Sequence, residues 1–294
     1  MPKVVVLGSA AGGGFPQWNC RCANCALAWD GDPRAAWRTQ SSLAFVDDDG
    51  CVVVNASPDI NQQIRQNAAL WPRAYRDSPI RAVVLTSAEI DHVAGLLSLR
   101  ERHAFDIMAL CPVRDAVAPN PFLQPLSANW LDVRDGTAWQ LGSAKFTLFA
   151  VPGKAPLYLE GADPVTDSDA GETSGLSITV RGRKLVYIPG CALIDDPVRR
   201  HAEDADVVLF DGTLFDDEEM RRAGLGQKTG RRMGHLPMTG AGGSLEWLAK
   251  LKAARKIYTH INNSNPVLIE GSPERAVVER AGIEIAHDGL EITL

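Results

Sequence analysis

The chain of 294 residues lacks any long hydrophobic run, since no apolar stretch approaches the roughly 20 residues that a membrane span requires. Its first segment, Met1 to Gly8, is too short and too soon broken by glycine for a secretory signal. An excess of basic residues is also missing, and the formal net charge of −6 argues against a nucleic-acid or anionic-membrane surface. We therefore expect a cytoplasmic protein with no membrane span and no nucleic-acid partner.

Two nucleotide-binding motifs are absent as well. The glycine-rich segment 8–14 follows a predicted strand, but its spacing is not G-x-G-x-x-G and no helix opens after it. Residues 226–229 contain a lysine and a threonine, but no glycine directly precedes the lysine, so they are not a P-loop. Hydrophobic and charged contents of 45% and 22% are typical of a soluble globular protein.

Six cysteines are present, and three of them, Cys20, Cys22 and Cys25, lie within six residues. In a reducing compartment such a cluster favours a metal site over a disulfide framework. Thiolates suit tetrahedral zinc, which needs a fourth ligand from elsewhere in the chain. The alternative is a set of small buried thiols.

Hydrophobic patterning predicts many strands with interspersed helices and no repeat of fixed period. The predicted strands are 3–7, 42–46, 51–55, 80–85, 145–151, 174–180, 184–189, 206–210 and 256–259. The predicted helices are 57–66, with Ser57 as N-cap, and 93–100, 245–253 and 273–280. Four prolines between residues 101 and 141 indicate loops that elaborate the core.

Three apolar runs each end in a candidate metal ligand: Asp91-His92, Asp211 and His260. Sites in layered α/β folds collect at strand ends, and two imidazoles with a carboxylate suit iron(II) or a zinc ion that keeps water. Taken singly, Asp91 could cap a helix, Asp211 could form a turn and His260 could be a core histidine. Together, at three strand ends, they favour a metal site. His235, in a polar loop, is a candidate general acid/base or a donor behind the ligands.

These residues resemble the metallo-β-lactamase fold family, whose usual signature is Thr-His-x-His-x-Asp-His. The resemblance implies a four-layer αββα sandwich of the α/β (α+β) class, formed by a single domain over residues 1–294 with a cysteine-rich zinc loop at about 15–30. Ser87 and Glu89 replace the two leading histidines, and Lys154 replaces a later one. One metal position has therefore lost its histidines, and a two-metal hydrolytic mechanism is in doubt.

The sequence also resembles the pyrroloquinoline quinone (PQQ) synthesis protein B family over nearly its whole length. The motifs that carry this resemblance are Gly8–Cys22, Asn55–Ile60, Ile188–Cys191, Phe210–Thr213 and His260–Asn263. Membership implies a role in making PQQ, with iron-dependent hydroxylation of the tyrosine ring of a Glu-Tyr intermediate, derived from a precursor peptide, as the favoured activity. Carriage of PQQ or its precursor to the periplasm is the alternative, and residual metal-dependent hydrolysis is the least favoured.

The resemblance implies roles for the candidate site residues. Asp91, His92 and His260 would bind iron(II), and Asp211 would be a fourth ligand or a neighbouring acceptor. His235 and Asp211 are the predicted catalytic residues, with His235 relaying protons or holding the substrate.

Further positions are implied for the substrate. Lys154, Arg231 and Arg232 would bind carboxylates of the anionic dipeptide or a PQQ intermediate, although solvation is the simpler role for the two arginines. Ser87 and Glu89 would line the emptied half-site. Dioxygen would be the co-substrate, and a homodimer remains open.

The cysteine cluster gains a candidate fourth ligand in the same way. In related phosphodiesterases the structural zinc takes its fourth ligand three residues after the last active-site histidine. That position is Asn263 in this sequence, which is a weak zinc ligand. The identity of the fourth ligand therefore stays open.

Overall fold

Two seven-stranded β-sheets form the framework of the chain, as seen in a computed structural model that describes all 294 residues. The first sheet contains, in spatial order, β14 (Glu291–Thr293), β1 (Lys3–Gly8), β2 (Ser42–Asp47), β3 (Gly50–Val54), β4 (Ile80–Val84), β5 (Phe105–Ala109) and β6 (Ala128–Asp132). The second contains β13 (Glu284–Ile285), β12 (Arg255–Thr259), β11 (Val207–Asp211), β10 (Arg183–Ile188), β9 (Ser174–Val180), β8 (Ala144–Ala150) and β7 (Ala138–Leu141).

Both sheets combine antiparallel and parallel pairing. In the first sheet β14, β1, β2 and β3 pair antiparallel, and β3 to β6 run parallel. In the second sheet β7 to β10 pair antiparallel, and β10 to β13 run parallel. Parallel neighbours end at the same edge of a sheet, so the loops after β4, β11 and β12 collect at sheet edges, where sites of layered folds are found.

Side chains alternate along the strands between two hydrophobic layers. In β1, Val4 and Val6 pack in the cluster between the sheets, whereas Val5 packs in the cluster beneath the outer helices. Across the inner layer the rings of Phe45 and Phe146 meet edge to face, with centroids 5.5 Å apart. Full burial of each such side chain contributes about 1.5–3 kcal/mol to stability, so both faces of each sheet are held by apolar packing.

Helices cover the outer face of each sheet. The helices against the first sheet are α2 (Ile60–Gln66), α3 (Ile90–Val93) and α4 (Cys111–Val117); those against the second are α1 (Ala23–Trp29), α5 (Asp196–Glu203), α7 (Ser244–Lys250) and α8 (Pro273–Arg280), and α6 (Glu219–Arg222) follows β11. Short 3₁₀ segments are Ala68–Leu70, Ala94–Leu99, Pro121–Leu123, Leu157–Leu159, Arg231–Met233 and Pro266–Leu268. The predicted four-layer αββα sandwich is confirmed. None of the helices combines the length and apolar character needed to cross a bilayer.

The segment 101–141 differs from the prediction of elaborating loops. It contains β5, α4, β6 and β7, and Ile107 of β5 is completely buried in the core. Pro112 lies in the first turn of α4, and Pro121 begins a 3₁₀ segment. Proline is tolerated at the start of a helix because the amide proton it lacks would be unpaired there. These prolines therefore mark helix starts inside the core fold.

The predicted helix 93–100 also differs from the structure. One α-helical turn, α3, is followed by the 3₁₀ segment Ala94–Leu99. The carbonyl of His92 accepts a hydrogen bond from the amide of Ala56, and the amide of Gly95 donates to the carbonyl of Ala56. These bonds tie the segment to the loop after β3 and take backbone groups out of the α-helical pattern. This close approach of the two backbones requires glycine, because a Cβ at Gly95 would lie 2.1 Å from the carbonyl oxygen of Ser57.

The helix predicted from Ser57 begins three residues later, at Ile60. The Ser57 hydroxyl accepts a hydrogen bond from the amide of Asp59 at 3.2 Å, which forms a turn before the helix. The serine therefore closes a local turn, as serine side chains commonly do, and the helix starts after it.

A candidate metal centre in a polar cleft

A polar cleft of about 360 Å³ lies where β4, β11 and β12 end, and only three of its 20 lining residues are hydrophobic. Asp91 and His92 follow β4, Asp211 is the last residue of β11, and His260 follows β12. The structure thus brings together the four residues that the sequence places at strand ends. Such a lining suits a polar or charged ligand.

Asp91, His92 and His260 form a compact donor group. Asp91 Oδ2 lies 3.2 Å from His260 Nε2 and 4.0 Å from His92 Nε2, and the ligand atoms of the three residues lie within 4.8 Å of one another. Ligands on one divalent ion with bonds of about 2.1 Å are separated by about 3 Å, which is close to the Asp91–His260 distance. His92 Nε2 is buried and has no hydrogen-bond partner. A buried unpartnered nitrogen beside a carboxylate fits a bound cation.

The ring of His92 is held by the serine that stands where the family signature has a histidine. His92 Nδ1 lies 2.7 Å from Ser87 Oγ, so Nδ1–H can donate to the hydroxyl and leave the Nε2 lone pair facing the cleft. Burial lowers the pKa of His92 to about 4, although Asp91 opposes the shift. The imidazole is therefore neutral near pH 7, which is the form that binds metals.

Thr213 organises the second histidine. Its hydroxyl donates to Asp211 Oδ1 at 2.7 Å, and its oxygen lies 2.9 Å from His260 Nδ1, which can donate to it. His260 has a φ of 54°, a left-handed conformation that costs ordinary residues about 1–2 kcal/mol. This backbone turn and the Thr213 hydroxyl together place His260 Nε2 opposite Asp91.

Asp211 is completely buried and uses both of its carboxylate oxygens. Oδ1 accepts from the amide and hydroxyl of Thr213, and Oδ2 accepts from the amide of Cys191 and lies 2.7 Å from His235 Nδ1. In this arrangement Asp211 is an acceptor that orients His235 and, through Thr213, His260. Asp211 Oδ2 could also join a metal set, because one oxygen of Asp211 lies within 4.8 Å of ring nitrogens of His235 and His260.

The ring of His235 stacks on that of His260, with centroids 5.2 Å apart. Burial lowers the pKa of His235, but the charge and hydrogen bond of Asp211 outweigh it and raise the pKa above its ordinary value. His235 thus holds a proton more readily than a free imidazole does. It is suited to donate or relay a proton beside the donor group.

The three positions that replace the lost histidines meet in the same cleft. Ser87, Glu89 and Lys154 all line it, and Lys154 Nζ lies 2.6 Å from Glu89 Oε1. An ammonium group and its carboxylate partner therefore occupy the half-site from which histidine ligands are missing. Burial lowers the pKa of Lys154, but Glu160 and Glu89 raise it further than burial lowers it, so the amine stays cationic and is not a metal ligand.

Of the two predicted arginines, only Arg232 approaches the charged groups beside the cleft. Its Nη1 lies 3.5 Å from Glu160 Oε2. The Arg231 guanidinium instead donates to the carbonyl oxygen of Ala241, and the structure does not bring it to the cleft. Lys228 and Glu160, for which the sequence suggested no role, line the cleft.

A second donor group lies at the predicted cysteine cluster. The sulfur atoms of Cys20, Cys22 and Cys25 lie within 4.8 Å of one another, and Asn263 Nδ2 lies 3.3 Å from both Cys20 Sγ and Cys25 Sγ. Burial, with the neighbouring thiols, raises the pKa of Cys22 to about 12. The side-chain amide of Asn24 donates to three backbone carbonyls of the 263–265 segment and fixes the segment against the cluster. The predicted fourth position thus faces the thiols.

Sequence reasoning missed the roles of Thr213 and Glu160. Thr213 was visible as part of the motif Phe210–Thr213, two residues after a candidate ligand, and that spacing was the available signal. Glu160 belongs to a loop with no regular pattern, and no sequence signal connects it to the cations it meets.

Comparison with known proteins places this geometry in context. Residues 51–261 match the family model described as a beta-lactamase superfamily domain. The chain is 49% identical to the Coenzyme PQQ synthesis protein B of Methylobacterium sp. (strain 4-46), with 99% of this chain and 100% of that protein covered. It is 48% identical to the protein of the same name from Rhizobium meliloti (strain 1021), with 99% and 98% covered.

Solved structures agree with these sequence relationships. The crystal structure of Zn(2+)-bound PqqB from Methylobacterium extorquens superposes with a TM-score of 0.97 at 46% identity and covers all of both chains. A diphosphatase from the PhnP family superposes with a TM-score of 0.70 at 20% identity, covering 100% of this chain and 98% of that one, a likeness of fold alone. The predicted metallo-β-lactamase-like fold is confirmed.

Proposed function

The chain belongs to the PQQ synthesis protein B family of the beta-lactamase superfamily, and from this premise we propose that it is a metal-dependent enzyme of PQQ synthesis. Its specific activity, in this proposal, is the iron-dependent hydroxylation of the tyrosine ring of a Glu-Tyr intermediate. The observation that carries the proposal is a single donor group, Asp91, His92 and His260, beside a half-site filled by the Lys154–Glu89 ion pair.

Two imidazoles and one carboxylate on one side of a metal leave other coordination positions open, as in non-haem iron oxygenases. Hydrolytic members of such folds use two metals to stabilise the attacking and the leaving oxygen. Here the ammonium of Lys154 would repel a second cation, so the arrangement favours mononuclear oxygen chemistry over hydrolysis. The same ligand set accepts zinc, and a relative was crystallised with Zn²⁺.

Iron(II) held by Asp91, His92 and His260 would supply the activation of dioxygen. In the overall reaction one oxygen atom of O₂ converts a ring C–H bond to C–OH, and the other leaves as water. Two electrons come from a reductant in solution, and two protons come from solvent. His235, held by Asp211 at 2.7 Å, donates or relays a proton at its free ring nitrogen. The polar walls bind the dipeptide and orient its ring.

A carrier for PQQ or its precursor is the second candidate. It is supported by the cations Lys154, Lys228 and Arg232 around the cleft, because these groups would hold an anionic quinone whether or not chemistry follows. The carrier role predicts tight PQQ binding without turnover of the dipeptide.

One assay separates these functions. The protein is loaded with iron(II) under anaerobic conditions, then mixed with oxygen, ascorbate and Glu-Tyr, and the products are analysed by mass spectrometry. We expect a product heavier by one oxygen atom from the wild type and none from His92→Ala. Absence of that product from the wild type, or an equal yield from the variant, would refute the hydroxylase proposal.

A further inference from the structure

Glu160 is an internal carboxylate surrounded by three cationic side chains beside the cleft. Its Oε1 lies 2.8 Å from Lys154 Nζ, and its Oε2 lies 3.6 Å from Lys228 Nζ and 3.5 Å from Arg232 Nη1. Its side chain is only 7% exposed. Burial raises the pKa of Glu160, but Lys154 and the other two cations lower it further, so the group is a carboxylate at neutral pH.

Lys228 and Arg232, the two more exposed cations, make no hydrogen bond to Glu160. Lys228 and Arg232 lie beyond hydrogen-bond distance of Glu160, and Arg232 Nη1 is buried without any hydrogen-bond acceptor. Their side chains are 43% and 39% exposed, so an entering anion meets them before it meets Lys154. The three cations face only two carboxylates, Glu160 and Glu89, which leaves one positive charge for a ligand.

Glu160 sits on a loop that polar contacts hold in place. The loop 153–168 is closed at its base by two hydrogen bonds between the backbones of Gly153 and Ser168, of 2.9 and 2.7 Å. Leu157, Tyr158 and Leu159 of this loop are about half exposed, at 60%, 47% and 54%, whereas Pro156 is buried. The Tyr158 hydroxyl donates to the carbonyl of Ala88 at 2.9 Å, and Lys154, which is itself in the loop, pairs with Glu89 at 2.6 Å. Glu160 adds ion pairs to Lys228 and Arg232, which lie outside the loop.

We propose that Glu160 is a displaceable internal ligand: a carboxylate of the substrate takes over Lys228, Arg232 and then Lys154, and the displaced Glu160 frees the segment around residue 160 of the loop 153–168. The proposal rests on the proposed function in one respect, that the substrate carries free carboxylates. It assigns the three cations as the subsite that binds a substrate carboxylate. Glu160 competes for these cations, so an anion occupies the subsite only if it binds them more strongly than Glu160 does. A neutral ligand of the same shape does not displace Glu160.

Binding of Glu-Tyr to the zinc-loaded protein, measured by calorimetry, tests the affinity part. Removal of the internal competitor in Glu160→Gln should tighten binding about tenfold, the worth of one charge-assisted contact, and Lys228→Met should weaken it about threefold. Asp163→Asn is the matched control, since Asp163 is an exposed carboxylate of the same loop without an ion pair. The N-acetylated, fully amidated dipeptide, which is neutral, should bind all four proteins equally. Unchanged or weaker Glu-Tyr binding by Glu160→Gln, with an unchanged melting temperature, would overturn the proposal.

Hydrogen exchange separates displacement from a simple charge effect. Glu-Tyr should accelerate amide exchange around residue 160 in the wild type, whereas Glu160→Gln should exchange fast with or without the ligand. Slower exchange in the liganded wild type would overturn displacement. Neither measurement needs iron or oxygen, so a wild type that binds as expected but forms no oxygenated product would refute the hydroxylase and leave the subsite standing. If the wild type oxygenates Glu-Tyr but Glu160→Gln binds it no more tightly, the Glu160 subsite is refuted and the hydroxylase proposal stands.

Discussion

The hydroxyl of Thr213 should control the affinity of the candidate active-site metal, although Thr213 is not itself one of the predicted ligands. It links Asp211 Oδ1, at 2.7 Å, with His260 Nδ1, at 2.9 Å. Thr213→Val keeps the shape of the side chain but removes this link. His260 Nδ1 then loses the acceptor that fixes its tautomer, and Asp211 Oδ1 keeps only the Thr213 amide.

The magnitude follows from the contacts that are lost. Groups that orient a metal ligand typically contribute a factor of 10–100 in metal affinity, or about 1.4–2.7 kcal/mol at about 1.4 kcal/mol per tenfold. Folding stability should also fall, by about 1–3 kcal/mol, because a buried donor is left unpaired. We expect the variant to fold, since the backbone bonds of this segment remain.

Cobalt(II) titration is the assay, because thiolate and imidazole–carboxylate sites give different spectra and the cysteine cluster serves as an internal reference. Thr239→Val is the matched control: its hydroxyl donates to the carbonyl of Phe215 at 2.8 Å, outside the cleft lining. Thr213→Val should weaken only the imidazole–carboxylate site. An affinity within twofold of the wild type would refute the claim that Thr213 positions His260.

Two further predictions concern groups outside the active centre. Burial raises the pKa of Glu219 from 4.5 to about 7, so between these pH values the folded state binds more protons than the unfolded state. The free energy of unfolding therefore falls as pH rises through this range, by at most about 3 kcal/mol at about 1.4 kcal/mol per pKa unit. Glu219→Gln should remove this loss, and equal slopes of melting temperature against pH for the variant and the wild type between pH 5 and 8 would contradict the prediction. Cys25→Ser should lose one equivalent of zinc and melt at a lower temperature. Cys111→Ser, at an exposed cysteine, should keep the zinc content and the melting temperature of the wild type. Unchanged zinc content in Cys25→Ser would exclude a metal at the cluster.

Much of the cleft could be predicted because its donors follow strands. Asp91, Asp211 and His260 each come directly after a strong apolar run or within a short turn of it, and the ends of parallel strands meet at one edge. Strand periodicity and ligand chemistry are both local properties of the sequence. The cysteine cluster could also be predicted from a local property, because its three cysteines lie within six residues.

The contacts between distant loops could not be predicted in this way. Glu89 and Lys154 are 65 positions apart, and their pairing depends on how the two sheets are packed. The direction of the His260 ring depends on a left-handed backbone turn that residues other than glycine adopt uncommonly. The prolines also led to the wrong prediction of loops in segment 101–141, because a proline at the start of a helix and a proline in a loop look alike in sequence. Pro112 is the clearest case.

The source of the oxygen atom in the product tests the central claim most directly. A hydroxylase takes that atom from dioxygen, a hydrolase takes it from water, and a carrier forms no product. Iron(II)-loaded protein, ascorbate and Glu-Tyr are mixed with ¹⁸O₂ in ordinary water, and the product mass is compared with that from ¹⁶O₂ in H₂¹⁸O. We predict that the ring of the product carries the label from ¹⁸O₂ and none from water. Label from water alone, or no product under either condition, would contradict the account.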